Sequence, residues 1–173
     1  MSLPKDWKEF LQLLNSRGAE YVVVGAFALA FHSEPRFTRD LDILIRRTPD
    51  NADRVIETLE AFGFASLAIT SEDLLSEGKV IQPGIRPNRI DLLNSLTGVD
   101  AESVWQKRTP GDLAGAPVHY IDLESFRVNK LAAGRDKILR SAAARQSLIL
   151  QKNRIIIHST TTCAIHITTA KGI

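Results

Sequence analysis

The chain has a single cysteine, Cys163, among 173 residues, which rules out a disulfide within it. It has no long apolar run either: the longest, Tyr21 to Phe31, covers 11 residues and contains a glycine, whereas a membrane-spanning helix needs about 20. The opening residues, Met1-Ser2-Leu3-Pro4-Lys5-Asp6-Trp7, lack the basic, apolar and small-residue sections of a signal peptide, and a cytoplasmic location is expected. Neither Gly-x-Gly-x-x-Gly nor a Walker loop occurs, which argues against dinucleotide-binding and P-loop enzymes. There is no internal repeat. One further absence is local: no Asp or Glu follows Asp136.

That gap decides how the charge is read. Residues 1–136 hold 16 of the 22 Lys and Arg and all 20 of the Asp and Glu, a net of −4, while residues 137–173 hold the other six basic residues. The pI near 8.8 therefore belongs to the tail and is poor ground for a nucleic-acid-binding surface. With 44% hydrophobic residues, the length suits one globular domain.

What is present alternates. Trp7, Phe10, Leu11 and Leu14, spaced by three and four and followed by Gly18, predict an amphipathic helix over Pro4 to Arg17. Glu20 to Val24 is a β-branched and aromatic run, which predicts a buried strand ending at Gly25, and Ala26 to His32 favours a helix. Asp40-Leu41-Asp42-Ile43-Leu44-Ile45 predicts a strand whose first residues face a site. Pro49-Asp50-Asn51 opens a helix carrying Val55, Ile56, Leu59 and Phe62, closed by Gly63. Residues 64–88, with Gly78, Pro83-Gly84 and Pro87, read as extended segments and loops. Arg89 to Leu93 and Val118 to Ile121 are further strands, and Asp122 caps a helix bearing Phe126, Lys130 and Arg135. The order predicts an α/β or α+β layer fold.

The chemistry concentrates on carboxylates. Asp40 and Asp42 are two apart on a strand, so both project from one face and repel unless a cation lies between them. Mg²⁺, or Mn²⁺, resolves the conflict, since it takes a few carboxylate oxygens plus substrate phosphates and water. Asp91, on another strand, is the candidate third carboxylate, allowing two ions to flank attacking and leaving oxygens. The bland alternative is a solvated strand end. Against it stands the preceding strand, the Gly25-Ala26 turn and a helix, whose N-terminal N–H groups are suited to phosphate. His32 could touch substrate or act as a helix cap, and Arg36, Thr38 and Arg39 could steer phosphate or simply face water. His158, Cys163 and His166 do not make a structural zinc site in a Thr-rich tail.

In these residues the chain resembles the nucleotidyltransferase superfamily. Its signature is an apolar residue, then Gly-Gly or Gly-Ser, then about nine to thirteen residues, then Asp-x-Asp or Asp-x-Glu. Val24-Gly25-Ala26, thirteen intervening residues and Asp40-Leu41-Asp42 match it. The stretches Gly25 to His32 and Pro35 to Asp42 look like the small bacterial members described as toxin-like or uncharacterised. Asn88 to Leu93 resembles their third-carboxylate strand, and Asn129 to Arg135 their C-terminal helix. The resemblance covers residues 5 to 137. It implies a small mixed sheet flanked by helices and a metal-dependent transfer of a nucleoside monophosphate from an NTP, acting as substrate, to tRNA, protein or a small molecule. The implied roles are metal binding and catalysis for Asp40, Asp42 and Asp91, and nucleotide binding for Gly25, Ala26, Arg39, Lys130 and Arg135.

Two positions depart from that pattern. Ala26 replaces the usual Gly or Ser, so a phosphate contact there must come from backbone N–H rather than a hydroxyl. Such a change, together with the tail, also suits a second reading: a non-catalytic or weakly active nucleotide-binding member of a toxin–antitoxin pair. After Lys137 the chain reads Ile138-Leu139-Arg140-Ser141-Ala142, where relatives continue an acidic helix. Residues 1–137 thus read as a nucleotidyltransferase-like domain, and 138–173 as an atypical tail, frameshifted or foreign. Sequencing the encoding DNA should reveal an alternative frame after codon 136 that restores an acidic, helix-periodic continuation. A native tail would show none.

Overall fold

Trp7, Phe10, Leu11 and Leu14 form the buried face of helix α1 (Lys5–Ser16), which packs on the sheet and against helix α3 (Pro49–Leu59). The computed structural model describes residues 3–33, 38–83 and 89–134. All described residues fall within one compact unit, Met1–Arg135. The expected tail at 138–173, with His158, Cys163 and His166, lies outside the described residues, as does Arg135.

The fold is a mixed α/β structure built on a six-stranded sheet. Its strands are β1 (Tyr21–Val23), β2 (Asp40–Ile45), β3 (Val80–Ile81), β4 (Arg89–Leu93), β5 (Thr109–Leu113) and β6 (Ala116–Tyr120), in the spatial order β3-β4-β2-β1-β6-β5. β2 runs antiparallel to β1 and parallel to β4, and β1 runs parallel to β6. Helix α2 (Gly25–His32) connects β1 to β2 and packs on β2 and on helix α6 (Leu123–Ala132). Leu41, Ile43, Leu44, Ile90 and Leu92 form the sheet's buried centre, and each such side chain contributes about 1.5–3 kcal/mol of hydrophobic stabilisation. Among the described residues, no helix is long and apolar enough to cross a membrane.

The elements missing from the sequence reading are short or carry atypical residues. In the stretch read as loops, helix α4 (Ser71–Leu75) forms. At five residues it has no room for apolar periodicity, and its only signal is the capping box of Thr70 and Asp73. Helix α5 (Ala101–Lys107) is likewise opened by a cap, the Asp100 carboxylate accepting the Ser103 N–H at 2.8 Å. Strand β5 contains Pro110 and Gly111, which weigh against a strand by sequence, yet it is an edge strand, where proline is tolerated. It pairs with β6 through the Ala114-Gly115 turn. Asp122 caps α6 as expected, its Oδ1 accepting the Glu124 and Ser125 N–H groups at 3.1 and 3.0 Å.

One polar side chain clamps the β1/β2 pair. Asn51 is fully buried in the first turn of α3. Its Oδ1 accepts the Glu20 N–H at 2.6 Å, and its Nδ2 donates to the Glu20 and Arg46 carbonyls at 3.0 and 2.8 Å. Arg46 reinforces the joint, with Nη1 at 2.9 Å from Glu20 Oε1 and its guanidinium 5.8 Å from the centroid of the Trp105 ring. Replacing Asn51 with Ala strands buried backbone groups and should destabilise the fold by roughly 2–4 kcal/mol in urea unfolding. A loss below about 0.5 kcal/mol would show that the clamp is dispensable.

Candidate active site

The site is assembled by register. Leu41 points into the core, which leaves Asp40 and Asp42 on the opposite face of β2. The parallel pairing with β4 sets Asp40 beside Arg89 and Asp42 beside Asp91. Four charged residues thereby share one face of two neighbouring strands. Arg89 Nε lies 2.7 Å from Asp91 Oδ1 and 3.5 Å from Asp40 Oδ1, and Arg89 Nη2 donates to Asp91 Oδ2 at 3.1 Å. The 2.7 Å approach is an ion-pair contact and not an aligned hydrogen bond, since Arg89 Nε and Asp91 Oδ1 are both buried with no hydrogen-bond partner. The Asp91 side chain is 12% exposed, whereas 43% of the Asp40 side chain faces solvent.

Asp42 sits at the centre. Burial, followed by the Asp91 charge, pushes its carboxyl above the usual carboxylate range; Lys130 pulls it down, Asp40 pushes it up, and a hydrogen bond from the Ala26 N–H lowers it. That bond places the N-terminus of α2 on the carboxylate, a favourable position for an anion. Gly25 makes the approach possible. Its φ is +63°, and a Cβ on it would lie 1.9 Å from Asp42 Oδ2. The Val24 N–H, donating to the Asp42 carbonyl at 3.0 Å, continues the β1/β2 pairing to this point.

The other expected residues divide. Lys130, on α6, projects its charge toward Asp42 while its Nζ lies 5.0 Å from the centroid of the Phe126 ring. Arg39 is exposed next to Asp40. Thr38 Oγ1 accepts the Asp40 N–H at 3.2 Å and donates to the Asp40 carbonyl at 3.1 Å, so it fixes the entry to β2. His32 is neither a cap of its own helix nor turned to the carboxylates: its Nε2 lies 2.6 Å from the Ile121 carbonyl, tying α2 to the end of β6. A carbonyl only accepts, so Nε2 carries the proton. Pro35, Arg36, Phe37, Asn88 and Arg135 lie outside the described residues. Arg89 was not singled out by sequence reasoning. Its signal is the Arg-x-Asp spacing, which on a strand sets both side chains on one face. A separate groove of about 370 Å³, lined by Asn15, Tyr21, Trp105, Arg108 and His119 among others, contains none of the expected site residues.

Among the described residues, no three Asp, Glu, His or Cys side chains converge into a metal cage. Mg²⁺ does not require one, because one or two carboxylates suffice when substrate phosphates and water complete its shell. The donor set fits such an ion: all oxygen, with burial and then like charges raising the Asp42 carboxyl, and with Asp91 Oδ1 held by the Arg89 ion pair and not by a hydrogen bond.

No protein-family model matches the sequence, and no curated protein does. Among solved structures, the chain is similar to a Thermotoga maritima protein provisionally classed as a nucleotidyltransferase, with 14% identity over 82% of this chain and 89% of that one and a TM-score of 0.54. This establishes the nucleotidyltransferase fold. Looser similarities reach the antibiotic-resistance factor ANT(2'')-Ia. Its solution structure gives 15% identity over 88% of this chain and 96% of that one, TM-score 0.45; its crystal structure with adenylyl-2''-tobramycin gives 15% over 81% and 94%, TM-score 0.41.

The tight fit of Gly25 against Asp42 yields a controlled comparison. Gly18 has the same φ of +63°, but a Cβ added to it would meet nothing within 4 Å, so Gly18→Ala carries backbone strain alone, about 1 kcal/mol. Gly25→Ala adds the collision with Asp42 and should cost on the order of 2–4 kcal/mol in denaturant unfolding. Equal losses for the two variants would show that Asp42 yields without cost.

Proposed function

We propose that this chain is a divalent-metal-dependent nucleotidyltransferase that moves a nucleoside monophosphate from an NTP to an acceptor hydroxyl or phosphate. The observation that carries this reading is the pairing of Asp40-Leu41-Asp42 with Arg89-Ile90-Asp91 at the N-terminus of α2. The acceptor oxygen forms a bond to the α-phosphorus, the bond from that phosphorus to the α–β bridging oxygen breaks, and its electron pair leaves with pyrophosphate. Bound Mg²⁺ or Mn²⁺ neutralises the triphosphate and the charge that develops on it.

The residues divide the remaining work. Asp40 and Asp42 would hold the metal, and Asp91 would receive the proton released by the acceptor. Lys130 and Arg39, together with Arg135, offset phosphate charge. The Ala26 N–H orients the Asp42 carboxylate, and the bare Gly25 leaves room for it. In this reading the Ala26 N–H acts on the triphosphate by way of the Asp42 carboxylate that it holds. Catalysis of this type rests on positioning and electrostatics, which suits a rigid two-strand platform.

Replacing Asp42 with Asn separates chemistry from folding. Mg²⁺-dependent release of pyrophosphate should fall roughly 10³-fold or more, because several kcal/mol of charge stabilisation is removed. Stability should rise at neutral pH, since a buried carboxylate beside Asp91 is no longer ionised. A raised folded-state pKa makes ionisation of Asp42 destabilising above that pKa. The gap between variant and wild type should therefore close as the pH falls through it toward the ordinary carboxylate value. Retained turnover in Asp42→Asn would overturn the mechanism. Calorimetry with ATP and Mg²⁺ that detects binding without pyrophosphate release would instead mark a nucleotide-binding partner. Incubation with each α-labelled NTP, Mg²⁺ and a cell extract identifies the acceptor, whether tRNA, protein or small molecule.

A further inference from the structure

The register that brings the carboxylates together also places an arginine opposite Asp40. Arg89 is a permanent cation, and only 21% of its side chain is exposed. Its Nε and Nη2 approach the two Asp91 oxygens at 2.7 and 3.1 Å, a fork spanning one carboxylate, and its Nε reaches Asp40 at 3.5 Å. Arg89 therefore occupies the oxygens of Asp91, which a divalent cation would also claim. One Arg89–Asp91 contact is imperfect, because Nε and Oδ1 lack hydrogen-bond partners. A guanidinium held on one side by an aligned bond and on the other by bare proximity is easier to exchange than a fully satisfied pair.

We propose that Arg89 is an exchangeable counter-cation that sets what the site will accept. This rests on the nucleotidyltransferase reading. Without a metal, Arg89 offsets the repulsion among Asp40, Asp42 and Asp91. A bare divalent cation must displace it from Asp91 and leave a mostly buried guanidinium without its partner, an unfavourable exchange. A metal arriving with a nucleotide brings phosphate oxygens, which accept the guanidinium fork as a carboxylate does. Arg89 thus disfavours free metal and favours the metal–nucleotide complex, a selectivity a simple structural ion pair would not impart.

The test is isothermal titration calorimetry on the full chain, wild type and Arg89→Gln, with Mn²⁺ alone and with Mn²⁺ plus a non-hydrolysable ATP analogue. Arg89→Gln should bind Mn²⁺ alone about tenfold more tightly and the Mn²⁺–analogue complex about tenfold more weakly, each the equivalent of one displaced or lost ion-pair contact. Arg89→Lys, which keeps the charge but loses the fork, should shift both affinities the same way by less, and stands in if Arg89→Gln does not fold. Unchanged or weaker binding of Mn²⁺ alone by the folded variant overturns the proposal and leaves the nucleotidyltransferase reading intact. Failure of wild type and variants alike to bind Mn²⁺, with or without the analogue, overturns both.

Discussion

Two like charges held side by side are the constraint on which the rest of the site depends. Parallel pairing of β2 and β4 places Asp42 directly beside Asp91, with Asp40 two residues away on the same face. Left alone, that arrangement would force the strands apart or protonate a carboxylate. The neighbouring elements answer it from three directions. Arg89 comes from β4 itself, the Ala26 N–H from the start of α2, and the Lys130 charge from α6. None neutralises the cluster fully, since burial and Asp91 still hold the Asp42 carboxyl above its usual range. A surplus of negative charge on a partly exposed face is the feature on which the proposed metal binding rests.

The apolar side of the same strands keeps the carboxylates in place. Leu41, Ile43, Ile90 and Leu92 are buried, so a one-residue slip of either strand would turn the core outward and bury the charges. Asn51 holds the far end of the β1/β2 pair, and Gly25 permits β1 to run into α2 without pushing Asp42 aside. Packing energy thus maintains an electrostatic arrangement that would not persist by itself. His32 and Thr38 belong to this support, the first tying α2 to the end of β6 and the second setting the turn into β2.

Legibility in the sequence followed the strength of local signals. α1 was visible because four large apolar residues recur on one face before Gly18, and α3 because Pro49 opens a run of buried positions, although it ends at Leu59, short of the expected Phe62 and Gly63. β2 and β4 were visible as apolar runs interrupted by aspartate. α4 and α5 were not, because five- and seven-residue helices carry too few turns to show a period and announce themselves only by caps. β5 was hidden by Pro110, which the sheet tolerates because the strand lies at its edge, and by Gly111, whose missing side chain leaves room for Tyr120 and Phe31. At the site, Asp40 and Asp42 could be read from spacing, whereas Asp91 needed a family resemblance and Arg89 went unremarked.

By itself the sequence determined which residues face the same way. Period two on a strand places Asp40 with Asp42 and Arg89 with Asp91, whatever lies next to them, because that geometry is set by the backbone of one segment. Only the tertiary structure decided which strands are neighbours, in what direction and in what register. Those choices depend on burying apolar faces of segments far apart in the chain, a collective result that no local pattern encodes. The outcome, Asp42 against Asp91 with Arg89 bridging to Asp40, turned two short charged motifs into one site.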